Sequence, residues 1–243
     1  MTIRAGVGGW TFEPWRGVFY PKGLAQSREL EFASRALTTI EVNGTFYGSM
    51  SPATYAKWHA ETPENFVFSL KAPRFAVNRR ELAGAGESID RFFASGVSEL
   101  GAKLGPILWQ FAATKQFDAQ DFGRFIKLLP AGYRHALEPR HESFRDPAFV
   151  AMAREAGAAI VFADAHAYPM FDEATADFTY ARLQNGEDGE PLGYPSAALD
   201  GWADAARHWE RGDRDVFVYF IHGGKIRAPA AAAALLARLS PAP

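Results

Sequence analysis

The chain has 243 residues, of which 48% are hydrophobic and 22% charged, and its formal net charge is −2. Those are the proportions of an ordinary globular protein, and the near-neutral balance gives no electrostatic reason to expect a nucleic acid or an anionic membrane as partner. Cysteine is absent, which excludes disulfides, thiolate metal centres and cysteine nucleophiles. No apolar run approaches the roughly 20 residues of a membrane span. The opening MTIRAGVGGW reads as a first strand rather than a secretory leader, so a cytoplasmic location is expected.

Strand and helix patterns alternate along the chain. Ile3 to Gly8 reads as the first strand, and Leu24 to Leu37 as a helix with Leu30, Ala33 and Leu37 on one face. The run TIEVN, ending at Asn43, is the second strand; Ser51 and Pro52 then form an N-cap and first helical residue. Phe66 to Lys71 is the third strand. A long helix follows, with Ile89, Phe92, Phe93, Val97 and Leu100 at helical spacing. Ile107 to Phe111 is the fourth strand, and Asp118 caps a helix that turns Phe122, Phe125 and Leu129 inward. The fifth strand ends near Arg140, and Asp146 with Pro147 opens the next helix. Ala159 to Asp164 is the sixth strand.

Between His166 and Asp177 the helical period is lost, so the helix after strand six is expected to be short or missing. Phe178 to Gln184 is the seventh strand, and Leu199, Trp202, Ala206 and Trp209 mark the helix behind it. Val216 to His222 is the eighth strand, and a final helix begins near Pro229. The pattern predicts an α/β fold: a (β/α)₈ TIM-like barrel forming a single domain over residues 1–243, with its chemistry at one rim.

Charged and polar residues recur at the downstream strand ends: Glu41, Asn43, Lys71, Gln110, Glu138, Arg140, Asp164, Arg182 and His222. Strand alternation gives several of them a direction. Ile40 and Val42 should face the helices, leaving Glu41 and Asn43 inside the barrel. The same reasoning turns Lys71, Glu138, Arg140 and Arg182 inward. Strands four, six and eight are apolar on both faces, so Gln110, Asp164 and His222 are not directed by pattern. Glu41, Lys71, Glu138 and Asp164 are the candidate catalytic groups; Trp10, Asn43, Gln110, Arg140, Arg182 and His222 are the candidate ligand contacts.

Opposed to a site is a buried ion-pair layer, Glu138 with Arg182 and Asp164 with Arg140, that only fills the barrel top. Lys71 is read as an anion contact in preference to a Schiff-base amine. A divalent metal site is conceivable from Glu41, Glu138, Asp164 and His166, but there is no HExxH motif or dense His/Asp cluster and no metal ligand is assigned. HGGK at 222–225 lacks the spacing of a phosphate loop, and RHES at 140–143 is no evidence of a triad. The loop aromatics Trp10, Phe12, Trp15, Phe19 and Tyr20 either cover the barrel end or offer a stacking surface.

At GGWTFEPWRGVFYP, IEVNGTFYGS, FSLKAPR, LGPILWQF, ALEPRHESF, FTYARLQ and VFVYF the chain resembles the YecE-like family, a domain of unknown function (number seventy-two). The resemblance implies a TIM-barrel-like fold and supplies no reaction. By motif position, the family's characteristic polar residues correspond to Trp10, Glu41, Asn43, Lys71, Gln110, Glu138, Arg140 and Arg182. The chain departs from the family at Gln184 and Asn185, where an HG pair is usual, and after strand eight, where IHGGK and an alanine run replace asparagine-rich sequence. The expected function is an enzyme using acid/base chemistry on a small anionic or polyhydroxylated metabolite. Its cofactor and oligomeric state are left open. A non-catalytic binding module and a metal-dependent sugar isomerase or endonuclease-like hydrolase are the alternatives.

Overall fold

Every strand of this protein pairs in parallel, which the alternation of strands with helices demands, because each crossover must return to the same end of the sheet. A computed structural model describes residues 2–221 and 224–240. The strands are β1 (Ile3–Gly8), β2 (Thr39–Val42), β3 (Val67–Lys71), β4 (Leu104–Gln110), β5 (His135–Glu138), β6 (Ala159–Ile160), β7 (Phe162–Asp164), β8 (Phe178–Leu183) and β9 (Asp215–Phe220). They run in the order β6-β5-β4-β3-β2-β1-β9-β8-β7.

β6 and β7 are the two halves of the predicted sixth strand. The first half pairs with β5 and the second with β8, and Val161 between them donates its N–H to Leu137 O at 2.9 Å. The predicted sixth strand therefore closes the barrel by changing partners midway. The sheet is the expected TIM-like barrel.

The helices are α1 (Glu29–Ala36), α2 (Gly44–Tyr47), α3 (Pro52–Glu61), α4 (Arg74–Val77), α5 (Gly86–Ala94), α6 (Ala119–Ile126), α7 (Pro147–Glu155), α8 (Ser196–Glu210) and α9 (Ala228–Leu239). Three of the caps are those the sequence signals. Ser51, Asp118 and Asp146 accept hydrogen bonds from the backbone N–H groups of Thr54, Asp121 and Ala148 at 3.2, 2.8 and 2.8 Å. No helix forms among residues 165–177, as the lost period implies.

Three segments differ from the pattern. The first helix is shorter, its predicted start replaced by a 3₁₀ turn at Gln26–Arg28. The long third helix breaks at Gly96, whose φ of 102° is left-handed and where a Cβ would lie 2.7 Å from Pro52 Cα; a 3₁₀ segment, Val97–Lys103, continues the chain. The short helices α2 and α4 were invisible to periodicity because one turn is too brief to show a period. No helix among the described residues is long and apolar enough to cross a membrane.

Two apolar layers separate the faces of the strands. Ile40, Val42, Phe68, Leu70, Leu137, Ala181 and Leu183 pack against the helices. Val67, Leu108, Ala136, Val161, Ala163, Tyr180, Phe217 and Tyr219 form the other cluster, inside the barrel. Strand alternation had assigned the outward set correctly. Inside, Thr39 and Tyr219 share a hydrogen bond at 2.9 Å, as do Ser69 and Tyr180, so the interior hydroxyls satisfy one another.

Gly6 lies opposite Thr39 of β2, and a Cβ there would sit 1.8 Å from Thr39 O. Because the obstacle is paired backbone, Gly6→Ala should destabilise by about 1–3 kcal/mol, measured by urea unfolding. An unchanged midpoint would show that the two strands can part without cost.

Candidate functional site

The downstream ends of the strands surround a cavity of about 680 Å³. Trp10, Asn43, Lys71, Gln110, Arg140 and Arg182, all expected at the site, line it. Beneath Arg182 lie Glu41 and Glu138, which are fully buried and do not reach the cavity. The guanidinium donates from Nε and Nη2 to the two oxygens of Glu41, each at 3.0 Å, and from Nη1 to Glu138 at 2.7 and 3.0 Å. Tyr180 adds its hydroxyl to Glu41 at 2.7 Å, and Gln110 its amide to Glu138 at 2.8 Å. Arg182 is thus satisfied by protein, a fork between two carboxylates.

Burial works against ionisation of Glu138, but Arg182, Arg140 and the Gln110 hydrogen bond outweigh it and hold the carboxyl below its usual range. Burial likewise works against the Arg182 charge, and Glu138 and Glu41 reverse the effect. The Tyr180 phenol is driven up, first by burial and then by Glu41. These groups stay fixed in charge at neutral pH. They form the ion layer weighed from sequence, with one change of partner: Arg140 donates to Glu138 at 3.0 Å and not to Asp164.

Lys71 differs from them. Its ammonium is 4.4 Å from the centre of the Phe46 ring and has no hydrogen bond or ion pair among the described residues. Only 8% of the residue is exposed. Desolvation, followed by the positive charge of Arg182, pushes its pKa down from 10.5 to about 8, even though Glu41 and Glu138 pull the other way. Arg140 stands opposite with its guanidinium 4.3 Å from the Tyr168 ring centre.

Trp10 forms one wall, edge-on to Trp58 with centroids 5.1 Å apart. Trp15 also borders the cavity but is buried, with Tyr20, among Phe12, Phe19 and Phe32, so most of the loop aromatics cover the barrel end. Trp15 donates its indole N–H to Lys225 O at 2.8 Å, which ties the first loop to the last.

Asp164 is placed apart. It shares the parity of Phe162, which packs outside the barrel against Trp202 and Trp209, and it does not line the cavity. Its carboxylate accepts from Asn185 Nδ2 at 2.9 Å, and burial raises its pKa. Asn185, one of the departures from the family pattern, is therefore held by Asp164. His222, the remaining candidate, lies outside the described residues.

Ser143 donates its N–H to His141 Nδ1 at 3.1 Å at the start of a 3₁₀ turn, a local cap for RHES. No three His, Asp or Glu side chains among the described residues gather closely enough to hold a metal ion. Phe46, Tyr47, Met50, Tyr168 and Lys225 were missed from sequence. All stand in loops or single turns, where no periodicity points a side chain.

A family model described as "Protein of unknown function DUF72" matches residues 4–243. The chain belongs to the DUF72 family. A DUF72 family protein from Thermotoga maritima superposes with a TM-score of 0.78 at 22% identity, covering 97% of each chain. One from Enterococcus faecalis gives 0.80 at 18%, covering 98% of this chain and 95% of the other. The barrel is also similar to a D-psicose 3-epimerase from Clostridium cellulolyticum, with a TM-score of 0.54 at 12% identity over 97% and 96% of the two chains. At these identities the likeness is one of fold. No curated protein matches the chain significantly.

Proposed function

We propose that this DUF72 protein is an enzyme that uses acid/base chemistry on a small anionic metabolite at the mouth of its barrel. The supporting observation is Lys71, a desolvated ammonium without an ion pair among the described residues, facing a cavity of about 680 Å³, with a pKa near enough to neutrality to exchange its proton. Glu41 and Glu138 act by holding Arg182 and setting the field around Lys71. Arg140, Gln110 and Asn43 would orient the ligand, and Trp10 and Phe46 would flank its carbon skeleton. A purely binding module has no need of a lysine whose proton is so loosely held, which favours the enzyme.

The test is calorimetric titration with inorganic phosphate and citrate, together with native mass spectrometry of undialysed protein. Arg140→Met should weaken anion binding by roughly tenfold or more, as expected for losing a hydrogen bond to a charged group. Absence of saturable anion binding by the wild type, or full affinity in the folded variant, would refute the reading.

A further inference from the structure

We propose that the site takes an anionic carbonyl compound, an aldehyde or α-keto acid, and that the Lys71 amine captures its carbonyl carbon as an imine. The inference rests on the reading of the mouth as a small-anion site and names the substrate class.

Three observations carry it. Arg140 and Lys225 also line the cavity, so a ligand's anionic group has cationic partners without recruiting Lys71. Glu41 and Glu138 are engaged by Arg182, Tyr180, Gln110 and Arg140, and neither forms an ion pair with Lys71. The Phe46 ring beside Lys71 carries no N–H or O–H donor that would tie up the amine lone pair once the proton leaves. Proton loss near pH 8 then leaves a useful fraction of neutral amine at pH 7, the activation that an amine nucleophile requires.

The step is balanced without a co-reactant. The ammonium gives its proton to water, and the nitrogen lone pair forms a C–N bond as the carbonyl π pair moves to oxygen. The nitrogen then passes one of its protons to that oxygen, water returns the proton it took from the ammonium, and the oxygen leaves as water as the freed nitrogen pair closes the C=N bond. The iminium so formed withdraws electrons from the neighbouring carbon, which is what acid/base chemistry there would exploit.

Reductive trapping tests the proposal in the intact wild-type chain. Glyoxylate and cyanoborohydride at pH 7, followed by peptide mapping, should alkylate Lys71 on the order of tenfold faster than the exposed Lys22, Lys57 and Lys127. Acetaldehyde, which carries no anionic group, should show a smaller preference, and Arg140→Met should reduce the glyoxylate preference towards that of acetaldehyde. Labelling of Lys71 no faster than the three surface lysines overturns the imine. If phosphate still binds in that case, the carbonyl assignment alone is wrong; if it does not, the anion site is wrong as well.

Discussion

Arg182→Met should cost about 3–5 kcal/mol of folding stability, the usual penalty for removing one partner from a buried ionic cluster. Glu41 and Glu138 are fully buried and draw four hydrogen bonds from this one guanidinium. Without it, two carboxylates would remain beneath the cavity with Tyr180, Gln110 and Arg140 as their remaining donors. Arg182→Lys should recover little, since a point charge on a flexible stem cannot span both carboxylates as the planar fork does.

The pH dependence distinguishes this from simple loss of packing. In the wild type, the folded Glu138 holds its proton less tightly than the unfolded one, so its contribution is present above the unfolded pKa of about 4.5 and is lost as pH falls through the lower folded value. In Arg182→Met the buried carboxyls should bind protons more tightly than in the unfolded chain. The variant's deficit should therefore narrow on acidification from pH 7 to 5. Adding Glu41→Gln and Glu138→Gln to Arg182→Met should restore part of the loss at pH 7. A deficit independent of pH, with no recovery in the triple variant, would show that volume rather than charge governs this layer.

That layer also shows how far the sequence could be read. Alternation by two residues placed Glu41, Lys71, Glu138 and Arg182 on the inward faces of β2, β3, β5 and β8 because the intervening residues are large and apolar and belong to the helix side. The same reasoning could not direct Asp164, since Ala163 and Phe162 are both apolar and only the barrel's closure decides which faces in. Nor could it tell a ligand contact from an internal counter-ion. Lys71 and Arg182 look alike as strand-end cations, yet among the described residues one opens on the cavity without an ion-pair partner and the other is saturated by two acids. That difference comes from contacts across the barrel, between residues up to 141 positions apart, for which the local pattern carries no signal. The cavity's loop-borne members escaped for a related reason: Phe46 and Lys225 are set by single turns.

Lys71→Met should stabilise the protein at pH 7 by up to about 3 kcal/mol. Each pKa unit corresponds to about 1.4 kcal/mol, and the ammonium falls from 10.5 to about 8 on folding. The sign follows from proton counting. Below pH 8 the lysine is charged in both states, and the folded state bears the full cost of desolvating it beside Arg182. Between 8 and 10.5 the unfolded chain binds more protons than the folded one, so wild-type stability rises with pH through that window. Above 10.5 both states are neutral and the cost has gone. The methionine variant has no such group; its advantage should be largest at pH 7, shrink from pH 8 upward and leave only packing differences near pH 11. Urea unfolding of both proteins across that range measures it. A variant less stable than wild type at pH 7, or two parallel profiles, would mean that the ammonium is stabilised in place. The expected gain has a functional meaning. Methionine has nearly the same length and no charge to desolvate, so a chain under selection for folding alone would favour it at position 71. On the proposed reading the amine is kept there for the chemistry of the site, and the variant that folds better should be the one that no longer traps a carbonyl.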